Sequence, residues 1–184
     1  LEIERLKAIS TTYQHFRNEF LGKLLNENEL DTEVIFRTAK EVNWDLEDEY
    51  KIVLLDCILD TPSESTNLPV WQKKLDILED FENELKWLLP RTLIGLDLQN
   101  RFILLVPHND NDDKFIGNLK KLIKKVNLNS VYGGVGGFNN IDELSSSYKE
   151  AILASEVAYT KMSSFKSVNK ENLLYIQDFH KLDV

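Results

Sequence analysis

Residues 131–151 read VYGGVGGFNNIDELSSSYKEA, and they carry the chain from a strand directly into a helix. The first eight residues, Val131–Phe138, combine β-branched, aromatic and glycine residues and predict a glycine-rich strand. A helix is predicted from Ile141 to about residue 162, and Asn140 with Glu143 fits a capping box in which Asn replaces the usual Ser or Thr. A strand that enters a helix with no intervening linker indicates a domain in which helices pack on a sheet.

Upstream of this stretch, apolar periodicity and turn residues divide the chain into alternating elements. Helices are predicted over residues 1–25, 32–42, 69–89 and 113–126, and strands over residues 50–60, 91–98 and 102–107. A short final strand is predicted at Leu173–Ile176. The order predicts an α+β fold, with a mixed or antiparallel sheet, packed helices and a ferredoxin-like arrangement. Residues 1–46 are interpreted as a helical lead-in and residues 47–184 as the domain proper.

Composition restricts the classes of function. The chain has 22 Lys and Arg against 31 Asp and Glu, which gives a formal net charge of −9. Because DNA is a polyanion, we expect the chain to bind it poorly. No apolar run approaches the ~20 residues needed to span a bilayer, and no signal peptide is recognisable. The lone Cys57 provides no disulfide framework. These features predict a cytoplasmic protein with no membrane partner, which contacts DNA only through another domain.

The first helix carries an apolar seam whose residues are spaced alternately three and four apart, as in the a and d positions of a heptad repeat. The seam consists of Leu6, Ile9, Tyr13, Phe16 and Phe20. One interpretation is a dimerisation helix that runs in from an upstream domain and makes a homodimer. The other is an amphipathic helix packed on its own domain. The seam is too short to decide between them.

Motifs for chemistry are incomplete. The glycines at 133, 134, 136 and 137 lack the Lys-Ser or Lys-Thr of a P-loop, and Asn139 stands where the dinucleotide fingerprint needs its third glycine. They either present backbone N–H groups to an anion or allow close packing of strand and helix. The three histidines are scattered, and the acidic clusters at 45–49 and 110–113 lack the spacing of a calcium loop. No metal site, cofactor or catalytic residue is predicted.

Several of these residues together form a recognisable pattern. They are Gly134, Gly136, Leu144, Ser147-Tyr148-Lys149-Glu150-Ala151, Ala154 and Ala158. The pattern resembles the central domain of bacterial transcription regulators of the PucR/CdaR type. The lead-in is similar to that family at Phe20-Leu21, Leu24-Leu25 and Ala39, and so is the passage from Trp44 into the strand at Tyr50. The resemblance covers nearly the whole chain.

The resemblance implies a degenerate GGDEF domain, which is a nucleotide-cyclase-like fold. The signature hairpin of the active enzymes corresponds here to residues 95–102, GLDLQNRF. Gly95 and Asp97 remain, whereas the second glycine and the adjacent Glu are gone. Asp56 takes the place of the acidic residue on the first strand. Because two-metal phosphoryl chemistry needs clustered carboxylates, this set is insufficient for catalysis. The candidate ligand-binding residues of the degenerate site are Asp56, Gly95, Asp97 and Arg101.

The same resemblance implies the biological context. Such regulators carry a sensory region upstream and a helix-turn-helix downstream, which is absent from this chain. The predicted function is therefore a non-enzymatic regulatory and dimerisation domain that binds, at most, a small-molecule effector and relays a signal to that DNA-binding domain. The alternatives are a nucleotide-binding or residual diguanylate-cyclase-like enzyme domain, and a purely structural spacer.

Overall fold

The computed structural model describes residues 2–27, 30–57, 69–108, 112–126 and 131–164. Within these ranges the helices are α1 (Glu2–Asn26), α2 (Thr32–Glu41), α3 (Val70–Leu88), α4 (Asp112–Lys125) and α5 (Leu144–Ser164), with a 3-10 turn at Ile141–Glu143. The strands are β1 (Glu49–Cys57), β2 (Leu93–Leu96), β3 (Phe102–Pro107) and β4 (Val131–Asn140). The strand predicted at Leu173–Ile176 lies outside the described residues.

The four strands form one antiparallel sheet in the order β2-β3-β1-β4. The connection from β1 through α3 to β2 passes over β3, and the connection from β3 through α4 to β4 passes over β1. Two interleaved units of this kind are the ferredoxin-like arrangement. The predicted α+β class with an antiparallel sheet and packed helices is therefore confirmed.

Helices cover both faces of the sheet. One hydrophobic cluster joins α3 and α4 to alternate residues of β1 such as Val53 and Leu55. The second cluster joins α1, α2 and α5 to the intervening residues, such as Ile52 and Leu54. Because β1 is central and covered on both sides, its sequence is a nearly continuous apolar run rather than an alternating one. Burial of these two clusters is the main source of the fold's stability.

The lead-in helix contributes to this core. Phe20, Leu21 and Leu24 are buried, and the Phe20 ring lies 6.0 Å from that of Trp44. Phe20 thus packs within its own domain, as the second interpretation of the seam expects, and the dimerisation seam as a whole stays a prediction. Ile9, Tyr13 and Phe16, nearer the start of α1, are exposed. Leu6 lies in α1, but its side chain is outside the described part. The division at residue 46 stays a prediction, and the two parts share one hydrophobic cluster.

Two helix starts show how local signals work here. Asp31 caps α2, since its Oδ1 accepts a hydrogen bond from Glu33 N at 2.8 Å. The capping box predicted at Asn140 and Glu143 was wrong, because Asn140 makes no side-chain capping bond and a 3-10 turn precedes α5. Ile141 N instead donates to the Asp48 carbonyl at 2.8 Å.

Among the described helices, none is long and apolar enough to cross a membrane.

Candidate functional site

The β2–β3 hairpin is organised by Asp97, which is almost completely buried. Its Oδ1 accepts hydrogen bonds from the backbone N–H groups of Gln99 and Arg101, both at 2.9 Å. Asn100 adopts a φ of 58°, a left-handed conformation that Asn tolerates better than most residues. One carboxylate oxygen of Asp97 thus stabilises the turn by accepting hydrogen bonds from its backbone N–H groups.

The other oxygen of Asp97 ties the hairpin to α5. Asp97 Oδ2 accepts from Arg101 Nε at 2.7 Å and from the Tyr148 hydroxyl at 2.9 Å. The Tyr148 hydroxyl in turn accepts from Arg101 Nη2 at 2.9 Å. Burial, followed by the negative charge of Asp97, raises the pKa of Tyr148 to about 12. Asp97, Arg101 and Tyr148 therefore form a closed triad in which each side chain is hydrogen-bonded to the other two.

Asp56 lies near the end of β1 in a second network. Its Oδ1 accepts from Lys74 Nζ of α3 at 3.0 Å and from Cys57 N at 2.9 Å. Its Oδ2 accepts from the Tyr132 hydroxyl of β4 at 2.8 Å. Lys74 is buried and also lies 5.8 Å from the ring centroid of Phe102. Burial and the bond to Asp56 raise the pKa of Tyr132 well above its usual value.

The fold brings three of the four predicted ligand-binding residues to one end of the sheet. Leu55 pairs with Phe102, so Asp56 lies next to the start of β3, where Arg101 and the Asp97 turn are found. Gly95 has a different role. A Cβ at this position would lie 2.8 Å from Leu21 Cδ2 of α1, so Gly95 lets the lead-in helix approach the edge strand.

A divalent metal pair, which the resemblance to cyclases would require, does not fit these residues. An ammonium group already neutralises Asp56, and both oxygens of Asp97 are used within the hairpin and by α5. Among the described residues, no group of three His, Cys, Asp or Glu side chains converges as metal ligands. The donor set thus favours internal ion pairs over two-metal phosphoryl chemistry.

The glycine-rich strand packs tightly against α5. A Cβ on Gly134 would lie 2.0 Å from the Ala151 carbonyl oxygen, and a Cβ on Gly136 would lie 2.0 Å from that of Ser147. Between the two alternatives left open by the sequence, the structure supports close packing of strand and helix, since the glycines leave room for the backbone of α5.

The strand is also irregular at this point, where Gly136 and Gly137 together lie opposite Ile52 of β1. The N–H of Ile52 donates to Ser147 Oγ at 2.9 Å, and Ser147 is fully buried. Glu150 Oε2 accepts from the N–H of Gly137 at 2.6 Å. A bulge leaves backbone groups without ladder partners, and α5 satisfies two of them.

The Ser-Tyr-x-Glu-Ala motif is therefore a docking motif. Ser147 and Glu150 bind the bulge, Tyr148 binds the hairpin, and Ala151 lies against Gly134. Sequence reasoning missed Tyr148, Lys74 and Tyr132 as partners of the two aspartates. The motif itself was the available signal, because polar residues beside small ones on one helix indicate specific contacts.

Alkaline pH should unfold the chain through its buried tyrosines. Tyr50 is fully buried and its pKa is raised, mainly by burial, to about 12, as is that of Tyr148. Unfolded tyrosine titrates near 10, so the stabilisation is complete below about pH 10 and is lost as the pH rises through about 12. Tyrosinate absorbance and far-UV circular dichroism should change together in that interval. Titration of these tyrosines near pH 10 with an intact fold would contradict this expectation.

Comparison with known proteins agrees with this architecture. A family model described as a GGDEF-like domain matches residues 27–157, which is more than half of the chain. A search of curated proteins found no match. The matched span begins after α1 and includes the sheet, the Asp97 hairpin and most of α5.

Proposed function

Because the chain belongs to the GGDEF-like domain family, we propose that it is a non-catalytic regulatory and dimerisation domain. In this proposal it belongs to a bacterial transcription factor of the PucR/CdaR type. In the same proposal, it passes a signal to a helix-turn-helix domain of that factor. The observation that carries the proposal is that Lys74 and Arg101 neutralise Asp56 and Asp97, which also accept hydrogen bonds from tyrosine hydroxyls.

Freeing Asp56 and Asp97 to bind metal would cost free energy, and this cost argues against catalysis. Binding a metal to Asp56 would place a divalent cation beside the buried Lys74 ammonium, 3.0 Å from the carboxylate. Like charges at such distances in a poorly solvated site repel strongly. Freeing Asp97 would leave the N–H groups of its own turn without partners.

We expect no nucleotide chemistry from the chain. Incubated with GTP and magnesium, it should release no pyrophosphate and form no cyclic dinucleotide above the level of a heat-inactivated sample. Liquid chromatography of the nucleotides checks this directly. Product that disappears in the Asp56→Ala and Asp97→Ala variants would instead support the alternative, a residual cyclase-like enzyme.

The dimerisation part of the proposal rests on the start of α1. Ile9, Tyr13 and Phe16 are large apolar side chains, and each is exposed. Their spacing of four and three residues is that of a self-complementary coiled-coil seam. Exposed apolar side chains aligned on one helix are typical of interaction surfaces, and a second copy of the same helix offers a matching seam.

Substitution of this surface should separate the protomers without unfolding them. We expect Phe16→Glu to weaken self-association at least ~10-fold, because it places a charge in an apolar contact. Phe16 is 57% exposed, so the unfolding temperature at low protein concentration should hardly change. The matched control is Leu153→Glu, at a helical residue that is 56% exposed on α5. Sedimentation equilibrium of both variants gives the answer. A chain that is monomeric at all concentrations, or equal weakening by both variants, would contradict the α1 dimer.

A further inference from the structure

The β2–β3 hairpin is held by two helices through adjacent residues. The N–H of Leu96 donates to Asn18 Oδ1 of α1 at 2.8 Å, and the next residue, Asp97, accepts from the Tyr148 hydroxyl of α5 at 2.9 Å. Asn18 and Tyr148 lie 130 positions apart in the chain and belong to different helices. The hairpin is thus a point at which the first and the last described helix meet through polar contacts.

The contact with α1 depends on the position of β2 in the sheet. Because β2 is an edge strand paired only with β3, an outward N–H needs a partner that is not a strand. Asn18 supplies that partner, and Gly95 leaves space for Leu21 beside it. A rotation or shift of α1 would therefore break a hydrogen bond to a largely buried strand.

The contact with α5 depends on the turn itself. The carboxylate that receives the Tyr148 hydroxyl also fixes the N–H groups of Gln99 and Arg101. Any change in the turn changes the orientation of this carboxylate, and with it the bond to α5. Ser147, one residue before Tyr148, stays bonded to β1, so α5 would be loosened at one end and not released.

We propose that this hairpin couples α1 to α5, so that a displacement of α1 changes the stability of the start of α5. The proposal rests on the regulatory function above and identifies the route of regulation. Phe16, in the surface proposed for dimerisation, is only two residues from Asn18 on the same helix. A change of contact between protomers at Phe16 that moves α1 as a rigid body would also move Asn18 and strain its bond to Leu96. In this proposal, the hairpin that corresponds to a nucleotide site in cyclases transmits movement from α1 to α5.

Amide hydrogen exchange of the full chain, measured by mass spectrometry, tests the coupling. Asn18→Ala should speed exchange at the start of α5 about fivefold, the equivalent of one lost hydrogen bond. Tyr148→Phe, which removes only the hydroxyl group, should do the same. In the double variant the two effects should not multiply, because the hairpin no longer connects the helices.

The controls separate coupling from general damage. Asn18→Asp keeps the acceptor oxygen for Leu96 and should restore slow exchange in α5. Glu150→Ala removes a different contact of α5, with Gly137 of β4, so its effect should multiply with that of Asn18→Ala. If Asn18→Ala speeds exchange throughout the chain, Asn18→Ser replaces it in the same comparison.

Two results would overturn the coupling: exchange in α5 that does not respond to Asn18 variants, or single effects that multiply fully in the Asn18→Ala/Tyr148→Phe pair. Repeating the measurement on the Phe16→Glu background separates this proposal from the proposed function. Coupling within a monomer survives a failure of dimerisation. If the coupling is absent from a chain that dimerises normally, the hairpin route is excluded and the proposed dimerisation stands.

Discussion

Gly136→Ala is expected to cost about 3 kcal/mol or more of the free energy of unfolding. The added Cβ would lie 2.0 Å from the carbonyl oxygen of Ser147 and 2.5 Å from its Oγ. The first of these atoms is helix backbone, which cannot move without shifting α5 from the sheet. The same shift would break the bond between Ser147 and the N–H of Ile52, leaving a buried donor without a partner.

Gly22→Ala is the matched control for this substitution. Gly22 lies inside α1, and a Cβ there meets no atom within 4 Å. Alanine should stabilise the helix by about 0.5–1 kcal/mol. Urea unfolding of the two variants measures both values. A Gly136→Ala protein as stable as the unsubstituted chain would show that α5 does not lie on β4 as described.

Asp97→Ala should also destabilise strongly, by about 3–5 kcal/mol. The substitution removes the acceptor for two backbone N–H groups, for Arg101 and for Tyr148. It leaves the Arg101 guanidinium, with a side chain only 17% exposed, without its carboxylate. An uncompensated charge of that kind is expensive because the surrounding groups cannot replace water.

Asp80→Ala is a suitable control, since Asp80 is exposed on α3. It should change the unfolding free energy by no more than about 0.5 kcal/mol. Denaturant unfolding with and without magnesium completes the comparison. If Asp97 served as a metal ligand, magnesium would stabilise the unsubstituted chain, and Asp97→Ala would abolish that increment while costing little in the absence of the metal.

The fold was predictable where burial and turns act locally. The strands predicted over residues 50–60, 91–98 and 102–107 and the helix predicted over residues 69–89 each correspond to an element that the structure contains. The final turn before α5 was not predictable from its capping residues. Its first N–H is satisfied by Asp48, more than 90 positions earlier, and no local pattern contains that information.

The site shows the same limit. Asp56, Asp97 and Arg101 were recognisable as candidates. Their partners Lys74, Tyr132 and Tyr148 lie 18 to 76 positions away from the aspartates that they bind. Phe20 shows why spacing alone is ambiguous. A helix that packs on its own sheet and a helix that packs on a partner both repeat apolar residues every three or four positions. The burial of Phe20 and its contact with Trp44 show that it packs within its own domain.

The most direct test of the central claim is thermal unfolding of the chain in four conditions: with GTP and magnesium together, with GTP alone, with magnesium alone, and with neither. If Asp56 and Asp97 are held in internal ion pairs and the domain is regulatory, the unfolding temperature is the same in all four conditions. A ligand present at ~100 times its dissociation constant would stabilise the folded state by about 2.7 kcal/mol and raise that temperature measurably. A rise that requires both GTP and magnesium, and that disappears in Asp56→Ala, would contradict the account and identify a functional nucleotide site.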